Sequence, residues 1–291
     1  MTHKEPPPAS VPPGDPRLSR LSLNQMTTKR WSVREAVQGC VRAGIPAVGL
    51  WREPVAAAGL KVAAELVADA GLRVSSLCRG GFLTASQRSE RAAAIADNRR
   101  AIDEAAALGA ACLVMVVGGL PTGSKDLPGA RERVAEGIAE LAPYAGERSV
   151  RLALEPLHPM FVADRAVLST LRQAIDLAER FPAAQVGVVV DTFHVWWDPQ
   201  VWEQIARAGA GGRIASYQVC DFLAPLPADA LLGRAMMGDG HIDFGPFTAA
   251  MAAAGWTGDV EVEVFNAEVW AADPALVVET MKQRYVELVL R

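Results

Sequence analysis

Val186-Gly187-Val188-Val189-Val190-Asp191 is the stretch whose reading decides the fold of this 291-residue chain. Its apolar residues are consecutive rather than alternating. A strand built from it is therefore buried on both faces, as strands of a parallel sheet are. It ends on a carboxylate. A charge at the end of a buried strand costs several kcal/mol unless it is paired or held by a metal.

Three further apolar runs carry a polar group at or near the same place. They are Leu152-Ala153-Leu154-Glu155-Pro156, Ala215-Ser216-Tyr217-Gln218-Val219 and Val260-Glu261-Val262-Glu263-Val264. One such group could belong to a structural salt bridge. Four at regular spacing point to a common centre, and a divalent cation is the simplest charge to place there. Glu261 is expected to face away from that centre.

Outward from these runs, strands and helices alternate along the chain. Strands are expected over Leu21–Thr27, Ala47–Trp51, Arg73–Cys78, Ala111–Val117, Arg151–Leu157, Val186–Asp191, Ile214–Cys220 and Asp259–Phe265. Helices are expected over Ser32–Ala43, Leu60–Ala70, Ser86–Leu108, Ala130–Ala145, Val167–Arg180, Val201–Ala208, Pro246–Ala254 and Pro274–Leu290. Ser32 with Glu35 forms a capping box, and Gly44 closes that first helix. Eight strand–helix units over roughly 270 residues fit a single closed (β/α)₈ TIM barrel better than an open, doubly wound α/β sheet. No GxGxxG turn follows the first strand, which speaks against a dinucleotide fold. Barrel sites lie at the C-terminal ends of the strands, where the four polar groups fall. Residues 1–17 hold six of the 19 prolines and read as a disordered arm, leaving 18–291 as the barrel.

Composition excludes several classes. The chain is 51% hydrophobic and carries a net charge of -4, with no basic cluster to bind nucleic acid. No apolar run approaches the roughly 18–20 residues of a membrane span, and the start lacks the apolar core of a signal peptide. Cys40, Cys78, Cys112 and Cys220 stand singly in apolar segments. They read as buried thiols of a cytoplasmic protein, not as a disulfide set or a zinc site.

Glu155, Asp191, Gln218 and Glu263 all offer oxygen, so the expected cofactor is a hard divalent metal. Mn²⁺ leads, with Mg²⁺, Co²⁺ and Zn²⁺ as alternatives. A cation there polarises a carbonyl and acidifies the neighbouring C–H. Glu155 and Glu263, approaching from different strands, suit a 1,2-proton shift or an inversion. His194, His158 and Asp221 each follow a ligand position by three. They are expected, with Arg234 of the long connection after the seventh strand, to bind substrate oxygens or orient the ligands. In that connection Gly238 and Gly240 allow a tight turn. Trp51, Trp196, Trp197 and Trp270 lie near strand ends and are expected to wall a pocket for a carbohydrate or polyol.

At these residues the chain resembles the sugar phosphate isomerase/epimerase family, the xylose isomerase-like barrels. That group includes hydroxypyruvate isomerase, ketose 3-epimerases, inosose dehydratase and dehydroshikimate dehydratase. The likeness covers about residues 20–290 and is carried by Ala153-Leu154-Glu155-Pro156-Leu157, Val190-Asp191-Thr192-Phe193-His194, Gly238-Asp239-Gly240-His241-Ile242-Asp243 and Gly258 to Asn266. It implies metal ligands at Glu155, Asp191, Gln218 and Glu263, with the two glutamates as the acid–base pair. It also implies a substrate contact at His194. The third ligand is often His in the family, and here it is Gln218. With only four histidines, the chain does not match the histidine-rich endonuclease IV branch. The resemblance leaves the substrate open. The expected activity is a metal-dependent isomerase or epimerase of a ketose or keto-acid. The alternatives are a lyase acting on a cyclic polyol, a dehydroshikimate-like acid or a C-glycoside, and a non-catalytic binding protein. A homo-oligomer is left open.

Overall fold

The computed structural model describes residues 11–291. Eight parallel strands close into a barrel, and a short antiparallel ribbon sits above it. The strands in chain order are β1 (Leu21–Asn24), β2 (Ala47–Trp51), β3 (Arg73–Gly81), β4 (Leu113–Val116), β5 (Leu152–Leu154), β6 (Val186–Asp191), β7 (Ile214–Val219), β8 (Asp221–Phe222), β9 (Arg234–Ala235) and β10 (Val260–Val262). Around the barrel the order is β1-β10-β7-β6-β5-β4-β3-β2, and β8 pairs with β9. The expected (β/α)₈ barrel is the observed one. Among the described residues no helix is long and apolar enough to cross a membrane.

Local chemistry sets the element ends. The Ser32 hydroxyl accepts from the Glu35 amide and the Glu35 carboxylate accepts from the Ser32 amide, while Gly44 closes the helix with φ +70°. β1 ends at Asn24, not at Thr27, because the Asn24 side chain accepts from the Met26 amide at 2.9 Å and turns the chain into a 3₁₀ segment, Gln25–Thr28. The Thr27 hydroxyl then donates to the Val262 carbonyl at 2.9 Å and accepts from the Val264 amide at 2.9 Å, which ends β10 early. β5 stops before Pro156, which has no N–H for the ladder. An additional helix, Arg52–Ala58, follows β2 directly with no side-chain cap. The last helix runs over Pro274–Arg284 and finishes in a π-helical turn, Tyr285–Val289. Of the proline-rich arm, residues 1–10 lie outside the described residues. Val11 is buried in the core, and a 3₁₀ turn capped by Asp15 begins at Pro16.

The side-chain period of two assigns the faces. Val188 and Val190 of β6 join the large core between barrel and helices, whereas Val189 joins a small cluster with Cys78, Cys112, Val114, Ala153 and Ala215 inside the lumen. Asp191, two residues beyond Val189, continues that inner row. Ala153 with Glu155, Ser216 with Gln218, and Glu261 with Glu263 follow the same two-residue step. Glu261 therefore does not face away from the lumen: positions two apart on a strand share a face. Asp191 lies in register with Gln218, and Gln218 with Glu261, so the polar residues form a contiguous inner ring.

Candidate active site

The deepest layer of the ring centres on Glu261. Its carboxylate accepts from Ser75 Oγ at 2.6 Å, Ser76 Oγ at 2.8 Å, Asn24 Nδ2 at 2.6 Å and Gln218 Nε2 at 3.1 Å. Gly49 makes room for it, since a β-carbon there would come within 2.6 Å of that carboxyl. Ser22 Oγ and Ser75 Oγ lie 2.7 Å apart and extend the network. Asn24, Ser75, Ser76 and Glu261 went unforeseen. The signal for Asn24 was present, because it ends its strand as Asp191 does.

Gln218 points its amide nitrogen down to Glu261, which leaves Oε1 directed elsewhere. That oxygen is buried and has no hydrogen-bond partner among the described residues. Glu155 Oε1 is in the same state. Glu263 accepts from Asn24 Nδ2 at 2.9 Å, so Asn24 ties the lower glutamate to the upper one. Asp191 accepts from the Phe193 amide at 2.9 Å. Ligand atoms of Glu155, Asp191 and His194 all come within 4.8 Å of one another.

Arg234 stands among these groups. It sits on β9, which the pairing with β8 places over the barrel. Nη1 donates to Asp191 at 2.7 Å and Nη2 lies 3.2 Å from Glu263. The guanidinium is 3% exposed and stacks near Phe193 and Phe265, so it is a component of the site and not a surface residue. His194 Nδ1 accepts from the backbone N–H of His158 at 3.1 Å, which leaves the proton of the neutral ring on Nε2. Nε2 faces Arg234 Nη2 at 2.9 Å, donor against donor. An acceptor oxygen placed between them would relieve that contact.

The electrostatics follow from burial. Desolvation drives the Glu155 carboxyl well above its ordinary value, and Glu263 and Asp191 push it further against the pull of Arg234. Burial raises Glu263 to about 8, with Arg234 opposing. Asp191 and Glu261 are also raised, chiefly by burial. His194 falls well below its ordinary value because burial and the Arg234 charge disfavour its cation. Three buried carboxyl groups, Glu155, Asp191 and Glu263, share one guanidinium. Added positive charge is what this set lacks, and two orphaned oxygens offer a place for it. Glu155, Asp191 and His194, whose ligand atoms cluster, form a group able to hold a divalent cation, and the buried Gln218 Oε1 has no other partner among the described residues.

Two residues expected to contact substrate are occupied differently. Asp221 does not face the cavity. Its carboxylate accepts from the amides of Phe222, Gly238, Gly240 and Ile242 at 2.8–2.9 Å, which uses its capacity and pins the glycine turn. Gly238 there has φ +91°, the left-handed region glycine favours. His158 caps the 3₁₀ turn Pro159–Phe161 through Nδ1 and packs on Trp197 and Phe222. Its contribution to the site is the backbone N–H that sets the His194 tautomer. Of the tryptophans, Trp51 lines the cavity and donates to Asn24 at 3.0 Å. Trp196, Trp197 and Trp270 pack in the layer behind it or bond to backbone. The cavity, of about 150 Å³, is further lined by Arg79, Phe82, Arg165, Leu231 and Phe265.

Comparison with known proteins agrees with this fold. A family model described as xylose isomerase-like TIM barrel matches residues 37–284. A 3-dehydroshikimate dehydratase of Pseudomonas aeruginosa is 31% identical over 149 residues, 48% of this chain and 22% of that enzyme. An inosose isomerase of Bacillus subtilis is 27% identical over 155 residues, covering 52% of this chain and 53% of that enzyme. The chain thus spans about a fifth and about half of the enzymes it matches. Among solved structures, protein SMc04130 of Sinorhizobium meliloti 1021 superposes with a TM-score of 0.90 at 48% identity, over 93% of this chain and 98% of that one. An IolI protein with a bound zinc atom superposes with a TM-score of 0.80 at 22% identity, over 93% and 98%.

Proposed function

Because this chain belongs to the xylose isomerase-like TIM barrel family, we propose that it is a divalent-metal-dependent isomerase or epimerase of a small hydroxy-carbonyl compound. One observation carries the reading. Glu155 and Glu263 are buried and reach one small cavity from different strands, and burial raises the proton affinity of both carboxyls, that of Glu263 to about 8.

In this reading Glu155, Asp191, Gln218 and Glu263 hold the cation, with Mn²⁺ as the first choice. When bound, it neutralises the carboxylates and withdraws electron density from a substrate carbonyl. Glu155, through the carboxylate oxygen that does not hold the cation, takes the proton from the carbon beside that carbonyl. Glu263 returns a proton from the other side, and Asn24 holds it in place. His194 donates from Nε2 to a substrate oxygen. Arg234 donates to the same oxygen or its neighbour, which separates the two facing donors. Phe82, Trp51, Leu231 and Phe265 exclude water from the exchange. Four buried free cysteines support the reducing, cytoplasmic setting expected for it.

The partial likeness to a dehydratase favours a second reading, a lyase that starts from the same proton abstraction. The test is deuterium wash-in followed by NMR, with Mn²⁺-loaded protein and ketoses, hydroxypyruvate, inososes and 3-dehydroshikimate. Exchange beside a carbonyl should fall by about 10²–10⁴-fold in Glu155→Gln and in Glu263→Gln. Undiminished exchange in either folded variant would sink the assignment. Net loss of water, seen as a conjugated enone, would select the lyase.

A further inference from the structure

The outer wall of the cavity carries charge opposite to its floor. Arg79, on β3, and Arg165, in the segment after β5, both line it. Arg79 lies 4.4 Å over the Phe82 ring and is half-buried. Among the described residues it has no hydrogen bond and no carboxylate within 4.0 Å. Arg165 keeps a buried Nε without a partner. Its one carboxylate contact among the described residues is its neighbour Asp164, at 3.5 Å and itself 61% exposed. The two guanidiniums repel each other. Elsewhere this chain pairs such a group fully: half-buried Arg52 is clamped by both Asp97 and Glu104. With Glu53 acting on Arg79 only from beyond 4.0 Å and Arg165 held by one long, exposed contact, the wall keeps positive charge that an anion would offset.

We propose that Arg79 and Arg165 form an anion subsite, so that the molecule processed at the carboxylate floor carries a carboxylate at its other end. The substrate class is a compact hydroxy- or keto-acid rather than a neutral sugar. This rests on the proton-transfer reading above. A planar guanidinium fork matches a carboxylate edge with two parallel hydrogen bonds. No glycine lines the cavity to let backbone amides cradle a phosphate, and about 150 Å³ suits a small acid.

Isothermal titration of the Mn²⁺-loaded protein with matched ligands tests it: hydroxypyruvate against dihydroxyacetone, 3-dehydroshikimate against a neutral inosose, and dihydroxyacetone phosphate as the phosphate arm. The acids should bind about ten-fold or more tightly than their neutral partners and than the phosphate. Arg79→Gln should abolish that preference, leave neutral-ligand binding within about two-fold, and melt as the parent does. Arg79→Lys should restore part of it. Equal affinity for acid and neutral ligand, parental acid binding in Arg79→Gln, or tightest binding of dihydroxyacetone phosphate would each overturn the subsite. An acid that binds through Arg79 but exchanges no proton would sustain the subsite and sink the proton-transfer reading. Exchange of a neutral ketose indifferent to Arg79 would do the reverse.

Discussion

Glu261 and Glu155 are both glutamates, both buried in the barrel lumen, yet their surroundings are opposite. Glu261 collects hydrogen bonds from two serines, an asparagine and a glutamine. Glu155 has one buried carboxylate oxygen with no hydrogen-bond partner among the described residues. The same contrast separates Asp221, saturated by four backbone amides, from Asp191, which shares a guanidinium with a neighbouring glutamate. A buried carboxylate whose acceptor sites are filled by fixed donors is holding structure. One left short of donors costs stability, and the fold retains it for something that arrives later. Glu261 and Asp221 do not line the cavity, whereas Glu155 does.

The sharpest way to break this division is to remove one member of each kind. Glu261→Ala leaves the side chains of Asn24, Ser75, Ser76 and Gln218 without their acceptor and opens a cavity. It should cost about 4 kcal/mol in urea unfolding. Glu155→Gln, in metal-free protein, exchanges a carboxyl whose neutral form burial favours for a near-isostere. It should change stability by about 0.5 kcal/mol at most. If the two variants unfolded alike, the contrast in hydrogen bonding would have no energetic meaning.

Much of this was legible in the sequence, and the failures have physical causes. The consecutive apolar runs announced strands buried on both faces, and their polar ends located the polar ring of the lumen. Glu261 was misplaced because side chains two apart on a strand face the same way, so Glu261 had to accompany Glu263 inward. Ser22, Ser75 and Ser76 gave no signal, because small hydroxyls in a strand suit an exposed face as well as a buried network. Asp221 looked like a binding residue because its true partners are backbone amides, which every sequence contains. Arg79 follows the lumen residue Cys78 directly, and no local pattern tells a cavity-wall arginine from a surface one. The ribbon of β8 and β9, which delivers Arg234, depends on pairing across an irregular loop whose sequence shows no strand periodicity.

The unsaturated layer should also respond to metal and pH, where the saturated one stays silent. Mn²⁺ at about 100-fold above its dissociation constant should stabilise the parent by about 2.7 kcal/mol, and Glu155→Gln should lose most of that gain. The pH dependence has a definite sign. Glu263 is raised from 4.5 to about 8 in the fold, so its contribution in metal-free protein is fully present below 4.5 and is lost as pH rises through about 8. Metal binding needs the ionised form, so the Mn²⁺ increment should grow over the same window. Thermal melts of parent and Glu263→Gln, with and without Mn²⁺, isolate this group, because His194 titrates in both. A parent whose metal-free stability followed the same pH curve as Glu263→Gln would remove Glu263 from the ionising set.

The most local effect expected belongs to Asp221. Asp221→Asn keeps one acceptor oxygen and replaces the other with an NH₂, which faces the amides of Gly238 and Gly240 that Oδ2 now serves. Charge-assisted bonds of this kind are worth about 2 kcal/mol together once the exposed turn recovers water. The loss should be local: proteolysis at the Gly238–Ile242 turn should quicken, while the barrel's global unfolding shifts less. Because that turn follows Arg234 on β9, a loosened turn should weaken substrate binding through Arg234 and leave metal affinity near the parent's. A drop in metal affinity equal to that of Glu155→Gln would place Asp221 with the unsaturated carboxylates and erase the distinction between the two layers.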